Sequence, residues 1–193
     1  MKKLGQNRGK KMYDKNVILG FETDTVWGIG CHPLKRENVL KIYDIKGREK
    51  TKPLILMSSK FEYLTPYIKI IPDYAKDLIK NFFPGGLTLI FEKTDFCPDF
   101  LTSGFNTIGV RLPNHKGFYD LAENFEGHVL ATTSLNISNE PPVKNYEEAY
   151  QKFGDKIEII KPLNNTPPAG LASTVVLCTG EAPVVLRQGS VKI

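Results

Sequence analysis

A series of short apolar runs recurs along the chain: Val17–Phe21, Leu54–Met57, Leu87–Phe91, Thr107–Leu112, Val129–Ala131, Ile157–Ile160, Ser173–Cys178 and Pro183–Arg187. Each is too short for a stable helix, and most are bounded by Gly, Pro or hydroxyl residues, so each reads as a strand buried in a sheet. Between them the period changes. Arg36–Asp44 places Val39, Leu40, Ile42 and Tyr43 at helical spacing, with Gly47 just beyond. Ser58 and Ser59 read as caps of a short helix through Phe61 and Leu64. Pro72 opens a longer helix with Ala75, Leu78, Ile79 and Phe82 on one face, and Gly117–Phe125 and Glu147–Phe153 are helical as well. The stretch from Glu92 to Asn106 is rich in turn residues. Strands alternating with helices, closed by a pair joined at Gly180 and Glu181, predict an α/β chain of the α+β variant: a twisted, mixed, open sheet covered by helices. Ligands of such sheets collect at the strand ends.

At 193 residues and 41% hydrophobic content, the chain can bury a single sizeable core. The net charge of +5 is unevenly placed. Residues 1–16 hold six basic residues against Asp14, leaving 20 basic and 20 acidic residues in the rest. The expected organisation is a basic, flexible arm over 1–16 and one domain over 17–193. No apolar run reaches the length of a membrane span, and the N-terminus has no apolar core of a secretory signal, which predicts a cytoplasmic protein with no membrane partner. Cys31, Cys97 and Cys178 are odd in number and unpaired in spacing, which predicts reduced thiols rather than a disulfide framework or a zinc site.

Candidate chemistry gathers where strands end. Glu22-Thr23-Asp24-Thr25 follows the first strand, and Gly28 and Gly30 read as points where the backbone turns or approaches a ligand. Lys46, Arg48, Lys50 and Lys52 crowd around the single acid Glu49, as cations delivered into a loop by the preceding helix. Arg48, Arg111 and Arg187 are three of the four arginines after residue 16, and each lies near a strand end and a hydroxyl residue. Guanidinium forks placed this way suit phosphate and carboxylate. Ser134 and Asn136 read either as site residues or as a helix cap or Asx turn, the commoner role after a strand. His32, His115 and His128 lack metal-ligand spacing and read as solvated. No set of side chains suggests a covalent nucleophile.

Thr23 to Gly30, Lys46-Gly47-Arg48 leading to Lys52-Pro53-Leu54-Ile55, Pro84-Gly85-Gly86-Leu87-Thr88, Val110-Arg111, Ser134-Leu135-Asn136, Ser173-Thr174 and Leu186-Arg187-Gln188-Gly189 together resemble the YrdC-type L-threonylcarbamoyladenylate synthases. The resemblance runs from about Val17 to Gly189. It implies a YrdC-like catalytic domain and a nucleotidyltransferase. The substrates would be L-threonine, bicarbonate and ATP, and the products threonylcarbamoyl-AMP and pyrophosphate, for the threonylcarbamoyladenosine modification of tRNA. By position it assigns Lys46, Arg48, Ser134 and Asn136 to catalysis. Arg48, Lys52, Thr107, Thr132, Pro142 and Arg187 fall on ATP-binding positions, and Thr25, Met57, Arg111, Ser134 and Ser173 on threonine-binding positions. The chain departs from the family pattern at Glu22, Lys52, Met57 and Ala172. Magnesium is expected with ATP, held largely by phosphate oxygens and water.

Two other classes fit the same residues. A basic arm and a cationic crevice suit a double-stranded RNA or tRNA-binding module without catalysis, and a carbamoyl-transfer domain of another pathway would share the fold. Other tRNA threonylcarbamoylation proteins are expected partners of the synthase reading. The resemblance further implies that any cover over the pocket comes from the N-terminal arm or from the loop Pro162–Ala172.

Overall fold

The computed structural model of the chain describes residues 11–163 and 167–193. Its strands are β1 (Ile18–Phe21), β2 (Gly28–Cys31), β3 (Ile55–Ser58), β4 (Leu87–Glu92), β5 (Thr107–Arg111), β6 (Val129–Ser134), β7 (Glu158–Ile159), β8 (Thr174–Leu177) and β9 (Val184–Arg187). They form one nine-stranded mixed sheet in the order β7-β1-β2-β6-β3-β5-β4-β8-β9. β1 with β7, β3 with β5, and β4 with β8 are parallel; the remaining neighbours, including the closing pair β8 and β9, are antiparallel. The helices are α1 (Arg36–Lys46), α2 (Asp73–Phe82), α3 (Asp99–Thr102), α4 (Lys116–Glu123) and α5 (Tyr146–Phe153).

Side chains alternate across a strand, so the register sorts the core into two layers. One face carries Ile29, Leu56, Leu89, Ile108, Val110, Ala131 and Val176, all buried in a cluster that also takes in Val39, Ile42 and Tyr43 of α1 and Ala149 and Phe153 of α5. The other face is covered only in part. There Leu19, Phe21, Met57 and Leu130 pack under Phe118, Leu121 and Ala122 of α4. α4 reaches no further, and the rest of that face is open.

Four expectations change. Gly28 and Gly30 lie inside β2 rather than in a turn, while Gly28 lines the cavity on the open part of the second face, in keeping with the alternative of a close approach to a ligand. A Cβ at Gly28 would come within 2.8 Å of the Phe21 ring, and one at Gly30 within 2.9 Å of Thr132 Cγ2, so these glycines serve close cross-strand packing. Ser58 and Ser59 cap nothing: Ser58 belongs to β3 and donates to the His128 carbonyl, Ser59 donates to Glu123, and the following residues form two 3₁₀ turns. The stretch from Glu92 to Asn106 contains α3. The boundary expected at Val17 moves outward, because Tyr13 bridges Phe125, Lys15 pairs with Glu126 at 2.9 Å and Lys11 pairs with Glu158. The rest of the expected arm, residues 1–10, lies outside the described residues, as do residues 164–166 of the loop expected to cover the pocket.

Among the described residues no helix is long and apolar enough to cross a membrane. Cys31, Cys97 and Cys178 are free and buried, and burial pushes the thiols up, to about 12 for Cys31 and about 11 for Cys97 and Cys178.

Candidate active site

The open part of the second face is a cavity of about 290 Å³. Its floor follows from strand register. Gly28 pairs with Ser134, Ile55 with Thr132 and Gly109, Met57 with Arg111, Thr88 with Val175, and Val175 with Arg187, so cross-strand neighbours from seven strands point the same way. Ile55, Met57, Gly109 and Val175 make the floor apolar, while Thr25, Thr88, Thr132, Ser134 and Ser173 give it hydroxyls. Gly109 leaves room in the middle of the floor beside Ile55, which a Cβ there would meet at 2.8 Å.

Arg111 is the most enclosed charged group on the floor, with 2% exposure. Its Nε donates to the Gly85 carbonyl at 2.9 Å, Nη1 donates to Thr25 Oγ1 at 2.6 Å, and Nη2 forms an ion pair with Asp24. The Pro84-Gly85-Gly86 turn thus aims a carbonyl at this guanidinium. Thr25 is held in turn by Thr23, at 3.1 Å between the hydroxyls. Burial lowers the Arg111 pKa, Asp24 opposes that shift, and the Arg187 charge adds to it. Two guanidinium groups that feel each other, with one carboxylate paired to Arg111, leave a cationic excess suited to an anion.

Arg187 reaches from β9 to Ser173, donating from Nη2 to its carbonyl at 2.8 Å, and Ser173 Oγ lies 2.8 Å from Thr88 Oγ1. The segment before Ser173 is tied to the Asp24-Thr25 turn by backbone bonds, Ala169 N to Asp24 O at 3.2 Å and Gly170 N to Thr25 O at 2.8 Å. Arg48 also lines the cavity, its Nε donating to the Lys52 carbonyl at 3.2 Å. Burial lowers the pKa of both Arg48 and Arg187.

Most of the residues expected at the site come together. Thr25, Arg48, Met57, Thr107, Arg111, Thr132, Ser134, Pro142, Ser173 and Arg187 all line the cavity. Lys46, Lys52 and Asn136 are not part of its wall. Lys52 points away, its ammonium 3.5 Å from Glu49, and it is the Lys52 carbonyl that orients Arg48. Lys46 is no loop cation. It is the last residue of α1, 1% exposed, and it donates to the Ser134 carbonyl, to the Asn136 carbonyl at 2.9 Å and to Asn136 Oδ1 at 2.8 Å. Asn136 caps no helix. Its Oδ1 also accepts from Ser134 Oγ at 2.6 Å, and its Nδ2 donates to the Ile137 and Glu140 carbonyls. Lys46 and Asn136 therefore stand behind the wall and hold Ser134 in it. Burial, then repulsion by Arg48, lowers the Lys46 ammonium to about 7.

Val26, Trp27, Pro53, Leu54, Thr88, Ile90, Gly109 and Val175 also line the cavity and were not singled out as site residues. Thr88, Gly109 and Val175 were detectable as the same-face neighbours of expected residues once strand pairing was known. His115 is not solvated, since its Nδ1 caps α4 by accepting from Phe118 N at 3.2 Å.

A family model, Sua5/YciO/YrdC, described as telomere recombination, matches residues 11–189. The chain is 36% identical over 176 residues to the threonylcarbamoyl-AMP synthase of Pyrococcus abyssi, covering 91% of this chain and 51% of that protein. It is 32% identical over 145 residues to the threonylcarbamoyl-AMP synthase of Klebsiella pneumoniae, covering 74% of this chain and 76% of that one. The structure of P. abyssi Sua5 complexed with L-threonine superposes with a TM-score of 0.83 at 36% identity, over 90% of this chain and 50% of the other. The chain thus spans about half the length of its archaeal relative and about three quarters of the bacterial one.

Proposed function

The chain belongs to the Sua5/YciO/YrdC family, and on that premise we propose that it is a nucleotidyltransferase that makes threonylcarbamoyl-AMP from L-threonine, bicarbonate and ATP. The observation that carries this reading is the convergence of Arg48, Arg111 and Arg187, from three separated segments, on one hydroxyl-lined cavity. The reaction needs that combination. The threonine amine and bicarbonate condense, with loss of water, to an N-carboxylated threonine, whose new carboxylate oxygen attacks the α-phosphorus while the bond to pyrophosphate breaks. Two anions must be held together and the charge on the transferring phosphoryl group neutralised, without a protein nucleophile.

Thr25, Arg111 and Ser173 suit the threonine, with the Arg111 charge facing a carboxylate. Arg48 and Arg187 suit the nucleotide phosphates, and Thr107, Thr132 and Pro142 line the same cavity. Ser134, held by Lys46 and Asn136, stands where the two substrates meet. Magnesium is a separate matter. Among the described residues no group of three or more His, Cys, Asp or Glu is placed to hold a metal, and the nearest carboxylate, Asp24, is paired with Arg111. Magnesium carried by the phosphates and water of the nucleotide needs no carboxylate cage from the protein, and the residues' roles above do not pass through it.

Incubating the protein with ATP, bicarbonate and labelled L-threonine, then separating the products, tests the reading. Labelled threonylcarbamoyl-AMP is the expected result. Its absence, with the protein folded and ATP bound, overturns it.

A further inference from the structure

A second cavity, of about 430 Å³, opens beside α4 and shares no lining residue with the first. Phe21, Leu121 and Ile160 give it apolar walls, Lys11 and Lys161 stand in its lining, and Glu22 and His115 are neighbours in it. The Glu22 side chain is only 9% exposed, and its Oε2 is buried with no hydrogen-bond partner among the described residues. Such an atom is rare in a native protein, because a buried acceptor without a donor loses its solvation for nothing in return. His115 Nε2 lies 3.9 Å from it, beyond hydrogen-bond range. Since His115 Nδ1 accepts from Phe118 N, the neutral ring carries its proton on Nε2. Burial lowers the His115 pKa, with Asp24 opposing, and burial raises that of Glu22, so the site disfavours a charged pair. What remains is one donor and one acceptor, side by side over an apolar surface, both unsatisfied by each other.

We propose that this cavity is a second ligand site, for a planar ligand whose edge carries an N–H donor beside an acceptor atom, as an aromatic carboxamide or a nucleobase does. The ligand N–H meets Glu22 Oε2 and its acceptor meets His115 Nε2–H, while the ring lies against the Ile160 wall. Rotation of the Glu22 carboxyl about its last bond, a soft torsion, turns Oε2 into the cavity. No bond is made or broken.

The test is a titration of the full chain with benzamide and with cytidine, followed through its backbone amide spectrum. Saturable shifts at Phe21, Gly117, Leu121 and Ile160 are expected. Affinity about tenfold weaker is expected for N,N-dimethylbenzamide, which has no N–H to donate. Glu22→Leu should abolish the shifts while raising the thermal midpoint, since it removes an unsatisfied carboxylate. Ile160→Trp, which fills the cavity from the other wall, should abolish them too and decides the matter if Glu22→Leu does not fold. Arg187→Ala, in the first cavity, should leave them unchanged. Tighter binding of cytidine than of benzamide identifies a base, and the reverse a carboxamide. Absence of saturable shifts with both probes, equal binding of the dimethyl compound, or shifts that persist in the folded variants overturn the proposal.

Discussion

Arg111 shows how much a single side chain can organise. It joins the Gly85 carbonyl, Thr25 and Asp24 in one buried network while presenting its charge to the cavity. A lysine cannot reproduce that planar fork. Arg111→Lys is expected to lower threonine-dependent turnover by roughly 10²-fold or more, the loss of one or two charge-assisted hydrogen bonds, and to lower the thermal midpoint because Asp24 loses its partner. Kinetics and thermal melts on the same sample check this, and wild-type turnover contradicts it. Ser134 and Asn136 separate in a different way. Ser134→Ala removes a hydroxyl of the wall and about 1 kcal/mol of hydrogen bonding, so turnover should fall much further than stability. Asn136→Ala strips the acceptor shared by Lys46 and Ser134 and both donors that shape the loop, so turnover and midpoint should fall together. Equal behaviour of the two variants would remove the distinction between wall and support. From the sequence these two residues looked alike; only the direction of their hydrogen bonds tells them apart.

At the scale of elements, α1 explains the largest correction. Val39, Ile42, Tyr43 and Lys46 are its buried residues, spaced by three, one and three, so Lys46 continues the apolar stripe. That spacing was legible in the sequence, but the neighbouring Arg48, Lys50 and Lys52 drew Lys46 into a loop cluster. β2 was hidden for another reason, since glycines that clear space between strands look like turn glycines until their partners are known. Apart from α3, four residues long and hidden among turn residues, the helices and the other strands were legible because their apolar periods are strong, and the strand-end arginines because arginine is scarce in the body. Strand pairing, which sets the cavity floor, is long-range and left no local mark. Lys46 also carries a pH prediction. Its folded pKa is lowered to about 7 from 10.5, so between these values the unfolded chain holds a proton that the folded chain gives up, and stability from this group rises with pH. Below about 7 both states are protonated and the cost of burying the charge is constant. Thermal melts of wild type and Lys46→Met should therefore show the difference moving in favour of wild type from pH 7 to 10.5; a constant difference refutes the shift.

For the whole molecule, the charge lies outside the body. Residues 1–10 hold Lys2, Lys3, Arg8 and Lys10, whereas Tyr13 and Lys15 are built into the body by contacts with Phe125 and Glu126. Deleting residues 1–10 is expected to weaken retention on RNA and to reduce the slope of log K against log salt by up to about 3 to 4, one contact per cation removed. Threonylcarbamoyl-AMP synthesis should persist, because none of the cavity residues is touched; loss of synthesis in the folded truncation contradicts this. The neutral body with one cationic cavity is the feature on which the proposed activity rests. Its most direct test is pyrophosphate release by the wild-type chain, with ATP, bicarbonate and L-threonine each left out in turn. The account predicts release only when all three are present, and release that ignores threonine or bicarbonate contradicts it.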